Sequence, residues 1–89
     1  MTQYRFWWDE NNIEHISNHG VEPFEAEEVL DDDPLIVKAG GGKYVAYGQT
    51  EAGRYLLVVF ALKPEQRLRV ITARDMTAAE KKRFKRRRK

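Results

Sequence analysis

Tyr55-Leu-Leu-Val-Val-Phe-Ala-Leu62 is the longest apolar run of the 89-residue chain, and its eight residues are strand length rather than helix length. Half of its residues, Tyr55, Val58, Val59 and Phe60, are aromatic or β-branched, the kind that pack well on a pleated surface. A run without alternation belongs to a strand covered on both faces, so it takes the centre of a sheet. Working outward, Thr50-Glu-Ala-Gly53 and Lys63-Pro-Glu-Gln66 bound it with turn chemistry. Beyond them lie Tyr44-Val-Ala-Tyr47 and Leu68-Arg-Val-Ile-Thr-Ala73, and Gly40-Gly-Gly42 separates Leu35-Ile-Val37 from the former. Connections this short predict consecutive hairpins, an antiparallel meander of four strands.

The N-terminal third has a different period. Gln3-Tyr-Arg-Phe-Trp-Trp8 predicts a short first strand, and Asp9 is placed to cap a helix over about 10–19. Ile13 and Ile16 supply its apolar stripe and Gly20 its left-handed stop. Pro23 suits the first turn of a second helix, with Phe24 at its start and Ala26, Val29 and Leu30 as its i, i+3, i+4 apolar face, which ends at Asp31-Asp-Asp-Pro34. Thr77-Ala-Ala-Glu80 is a capping box that opens a last helix. The predicted order is β-α-α-β-β-β-β-α. This is an α+β fold with its helices on one face of the sheet, a single domain over 1–89 ending in a frayed basic tail at 85–89.

Composition narrows the chemistry. The chain has no cysteine, which excludes disulfides, thiolate nucleophiles and cysteine-ligated metals. It has no apolar run long enough to span a bilayer and no basic-then-apolar leader, so no membrane contact and a cytoplasmic location are expected. The net charge of +2 hides a polar split: seven of the 14 acids fall within Glu22–Asp33, while Lys81–Lys89 is basic at every position but Phe84. Such a tail is drawn to polyanions by charge alone.

Several blocks in order resemble one family. Phe6-Trp-Trp-Asp9, Asn18-His-Gly-Val21, Phe24-Glu-Ala26 and Val29-Leu-Asp-Asp32 with Pro34 are followed by Gly53-Arg-Tyr-Leu-Leu-Val-Val59 and Arg69-Val-Ile-Thr-Ala-Arg74, then Glu80 and Arg83. This succession resembles that of the BrnT toxins. The resemblance implies a RelE-like fold and a bacterial endoribonuclease that cleaves RNA without a metal or other cofactor. It also implies neutralisation by a cognate DNA-binding antitoxin of the ribbon-helix-helix type, as a homodimer or a toxin–antitoxin heterotetramer. The tail after residue 84 is more basic than is usual in the family, and two further features depart from its pattern: Phe60-Ala-Leu-Lys63 replaces a polar Y-T-E-R cluster, and Phe84 stands where a Tyr is common. They motivate an alternative, a non-catalytic module that binds a protein partner or nucleic acid.

Metal-free cleavage needs positive charge on the phosphorane oxygens, a base at the 2′-hydroxyl and an acid at the leaving oxygen. Guanidinium suits the first task, since it is always charged and forks onto two oxygens. Arg54, Arg69 and Arg74 stand at strand ends, and convergence of Arg54 on Arg74 would form a phosphate site. Arg69 and Arg74, five apart, face opposite sides of a regular strand unless Arg74 lies past its end. The plainer reading is exposed strand ends paired with Asp75 or Glu51. His19 is a candidate acid or base, or a helix-end histidine that complements the dipole. Glu80 is a candidate base, or simply the capping partner of Thr77. His15 and His19 are spaced as a two-histidine metal site, but no carboxylate motif accompanies them and no metal is expected. Lys81, Lys82, Arg83, Lys85 and Arg86 are the candidate RNA-binding residues.

Overall fold

The structure, a computed structural model, describes residues 5–87; Gln3 and Tyr4 of the predicted first strand and the last two residues of the tail lie outside the described residues. Its elements are β1 (Arg5–Trp7), α1 (Glu10–Ser17), α2 (Pro23–Asp31), β2 (Leu35–Gly40), β3 (Lys43–Gln49), β4 (Tyr55–Lys63), β5 (Arg67–Asp75) and α3 (Ala78–Arg87). They form a five-stranded sheet in the order β1-β5-β4-β3-β2. The meander β2–β5 is antiparallel throughout, and β1 lies parallel to β5 at the edge. The run that decided the fold is therefore the middle strand. Among the described residues, no helix is long and apolar enough to cross a membrane.

α1 starts where Asp9 accepts the Asn12 N–H, while the Asn12 side chain accepts from the Asp9 N–H. It ends at Ser17, two residues short of the expected 19, and the turn that follows closes at Gly20, whose φ of +74° costs a residue without a Cβ little. Asn12 is buried and ties the helix to the sheet, its Nδ2 donating to the carbonyls of Trp7 and Val70 at 2.8 and 2.9 Å. Ile16, Val21, Ala26 and Val29 bring α1 and α2 down onto Leu56, Val58 and Phe60 of β4, with Ala46, Leu68, Val70 and Ala73 beside them. α2 approaches β3 closely because position 48 is glycine: a Cβ there would meet Val29 Cγ1 at 3.1 Å.

One expectation fails. α3 lies on the other face of the sheet from α1 and α2. Leu57, Tyr47 and Arg74 are register partners that point away from the Leu56–Val58 core, and α3 reaches this second face through Glu80 and Phe84. Phe84 meets Tyr55 edge-on at 6.0 Å and is itself buried. The cause is readable in β4: a strand apolar on both faces needs a cover on each, and two N-terminal helices supply only one.

Candidate active site

β5 is not regular, and that irregularity builds the site. Val59 pairs with Thr72 and Phe60 with Val70, so Ile71 is an extra residue, a bulge. A bulge shifts alternation by one, so side chains five apart come to the same face. Arg69 lies opposite Ala61 and Arg74 opposite Leu57, residues four apart on β4. Both arginines thus stand on the second face, about 13 Å apart along the strand at ~3.3 Å per residue. The expectation of opposite faces is corrected by the bulge.

Each guanidinium is held in a defined pose. Arg74 Nη1 and Nη2 donate to Glu80 Oε1 and Oε2, both at 2.9 Å, a bidentate fork. Glu80 Oε1 also accepts from the Thr77 N–H at 2.8 Å, so the carboxylate caps α3 and clamps Arg74 together. The Arg74 hydrogen bonds lower the Glu80 carboxyl from 4.5 to about 2, and Glu80 in turn raises the Arg74 guanidinium. Arg69 Nη1 donates to Asp9 Oδ2 at 2.7 Å, and its guanidinium carbon lies 5.1 Å from the centre of the Trp7 ring. That hydrogen bond is the main reason the Asp9 carboxyl is lowered.

Arg54 does not join them. Its side chain turns to the face of α1 and α2, where it donates to Asp75 Oδ1, to Glu25 Oε1 and to the Gly20 carbonyl. The predicted proximity of the strand ends holds, because Arg74 Nη1 donates to the Asp75 carbonyl while Arg54 takes the Asp75 carboxylate. The orientation fails: two acids and a carbonyl on the helix side outbid an open sheet face. Arg54 is a clasp between α2, the α1–α2 turn and β5. His19 sits next to Gly20 in that same exposed turn, 5.8 Å from His15 between ring centres, on the Arg54 side.

α3 carries its cations along the second face. Lys81 and Lys85 lie over the Tyr55 ring at 5.5 and 5.2 Å, and Lys82, Arg83 and Arg86 are exposed. Between α3 and the outer strands is a cavity of about 160 Å³, lined by Leu35, Tyr47, Glu80, Arg83 and Phe84 among others. Arg74 ends beside it. Sequence reasoning missed two features here. Asp9 doubles as helix cap and Arg69 partner, and Trp7 is a platform for guanidinium groups; the pairing of Trp7 with Arg69 follows only once β1 is known to run beside β5.

The comparisons with known proteins agree with this architecture. A family model described as "Ribonuclease toxin, BrnT, of type II toxin-antitoxin system" matches residues 7–80. Among solved structures, the Brucella abortus ribonuclease toxin BrnT is similar in fold, with a TM-score of 0.69 and 20% identity over 84% of this chain and 99% of that one. A search of curated protein sequences finds no match. A family match over most of the chain, joined to the same fold, places this protein in the BrnT family, the ribonuclease toxins of type II toxin–antitoxin systems.

Proposed function

We propose that the protein cleaves RNA without a metal, using the second face of the sheet, and that the positions of Arg69 and Arg74 on that one face carry this reading. Arg74 takes the scissile phosphate and Arg69 another phosphate of the same strand, as the ~13 Å between their backbone positions is too wide for one group. A phosphate oxygen pair replaces the two Glu80 oxygens on the Arg74 fork. Glu80 stays anchored by the Thr77 N–H, and without its guanidinium partner its carboxyl returns toward the usual range, where it is a better base. It accepts the proton of the 2′-hydroxyl as that oxygen attacks phosphorus. The bond from phosphorus to the 5′-oxygen breaks, the 5′-oxygen takes a proton from solvent, and the products are a 2′,3′-cyclic phosphate and a 5′-hydroxyl. Arg54 and His19 lie on the other side and have no place in this scheme; α3 steers the polyanion through Lys81, Lys82, Arg83, Lys85 and Arg86.

The partner is proposed to be a ribbon-helix-helix antitoxin, binding as a heterotetramer in the bacterial cytoplasm. The acids of α2 and its C-terminal link, exposed at Asp31 and Asp32, match a basic segment of such a protein. Expression of the isolated chain in bacteria tests the whole reading: growth arrest with mRNA fragments bearing 5′-hydroxyl ends is expected. One observation favours the alternative of a non-catalytic module, namely that Arg54, Arg69 and Arg74 are each already ion-paired. Normal growth with intact mRNA decides for that module.

A further inference from the structure

At the end of the second face farthest from α3, the register gathers cations that the proposed chemistry leaves unused. Lys63 pairs with Arg67 across β4 and β5, and Lys43 pairs with Ala61, which pairs with Arg69. β1 adds Trp7 on the same face, and the Arg67 guanidinium carbon lies 4.5 Å from the centre of its ring. Strands spaced ~4.8 Å apart put Lys43 and Arg69 Cα atoms about 10 Å from each other. Lys43 and Lys63 are exposed. Among the described residues, Arg67 alone of the arginines on β1 and β5 has no carboxylate in ion-pair range; Arg5 meets Glu65, Arg69 meets Asp9 and Arg74 meets Glu80. Its Nε is buried and has no hydrogen-bond partner. A stacked, half-buried guanidinium without a counter-charge, flanked by two exposed ammonium groups, is built for an anion that the protein itself does not supply.

We infer that Lys43, Lys63 and Arg67, with Trp7 holding Arg67 in place, form a second RNA-binding ledge that grips phosphates of the single strand beyond the pair held by Arg69 and Arg74. This rests on the nuclease reading of the same face. The ledge continues the strand path along β5, so an RNA crossing from α3 meets Arg74, Arg69 and then Arg67 in order. Arg67 would make the fixed contact and the two lysines mobile ones, which favours backbone grip over base reading.

The test is fluorescence anisotropy with a short, labelled 2′-O-methyl oligoribonucleotide, which binds but cannot be cut, over a salt titration. The triple variant Lys43→Gln/Lys63→Gln/Arg67→Gln is expected to reduce the log–log salt slope by about 2, at ~0.7 per lost phosphate contact, and to weaken binding tenfold or more. Lys43→Gln/Lys63→Gln alters only exposed side chains and is expected to remove about 1.4 of slope, whatever the fate of Arg67→Gln on folding. If wild type binds and cleaves RNA while both variants keep its slope, the ledge is refuted and the nuclease reading stands. If wild type neither binds nor cleaves, both fall. Unchanged RNA slopes with loss of antitoxin capture would assign the ledge to the protein partner and overturn the inference.

Discussion

At the scale of single residues, the proposed site is a set of ion pairs, Arg69 with Asp9 and Arg74 with Glu80, that an RNA phosphate would have to open. Glu80 shows the cost and the use of this arrangement. Its carboxyl, lowered from 4.5 to about 2, contributes stability that is fully present above 4.5 and is lost as pH falls through about 2. Both partners are partly exposed, so the pair is worth only about 1 kcal/mol. Glu80→Gln is therefore expected to lower stability by about that amount at neutral pH and to flatten the acid limb of a urea-midpoint titration, while also abolishing the base proposed for cleavage. Arg74→Lys keeps the charge but loses the fork; a drop of roughly 100-fold in cleavage rate, with the melting temperature little changed, is the expected outcome in single-turnover assays. Asn12 works at the same scale in the core. Asn12→Ala strands the carbonyls of Trp7 and Val70 and is expected to cost about 2 kcal/mol in denaturant unfolding.

Among the elements, β4 and α3 set the architecture. The Tyr55–Leu62 run could be placed at the centre of the sheet from its composition, and the short turns around it fixed an antiparallel meander. What could not be seen there was the Ile71 bulge. Nothing in Val70-Ile71-Thr72 departs from strand chemistry, so regular alternation puts Arg69 and Arg74 on opposite faces unless Arg74 lies past the strand end; Arg74 lies within β5, and the bulge brings them together instead. The side taken by α3 was hidden for a related reason: a capping box locates a helix start but says nothing of the direction in which the chain leaves. Phe84 carries that information in its contacts with the second face, and Phe84→Ala is expected to cost about 3 kcal/mol and to release α3, read as lost thermal stability and a weaker grip on RNA. Gly48 marks the tightest contact between layers. Gly48→Ala pushes on Val29 and is expected to destabilise by about 1–3 kcal/mol in the same assay.

Over the whole molecule, charge and topology cooperate. The acids concentrate on α2 and the link that follows it, against the first face, while α3 and the far end of β5 present cations on the second. On the proposed reading, this charge split steers a polyanion to the side that carries Arg69 and Arg74. The overall charge split was legible in the sequence, and so was the family; the partition between faces was not, because it depends on β1 joining β5 in parallel and on α3 crossing the sheet. Arg54 illustrates the limit. Its place at the start of β4 brought it next to Asp75 as expected, yet Glu25 and the Gly20 carbonyl, distant in sequence, turn it to the opposite side.

The most direct measurement is RNA cleavage by the purified chain in excess chelator, with product ends analysed and Arg69→Gln, Arg74→Gln and the double variant run beside wild type. Fragments with 2′,3′-cyclic phosphate and 5′-hydroxyl ends, a rate reduced roughly 100-fold or more by the Arg74 change, and a double variant no more active than the weaker single are the expected results. Wild-type cleavage that stops in chelator, or rates in both single variants equal to wild type, would contradict a phosphodiester held by two arginines on one sheet face.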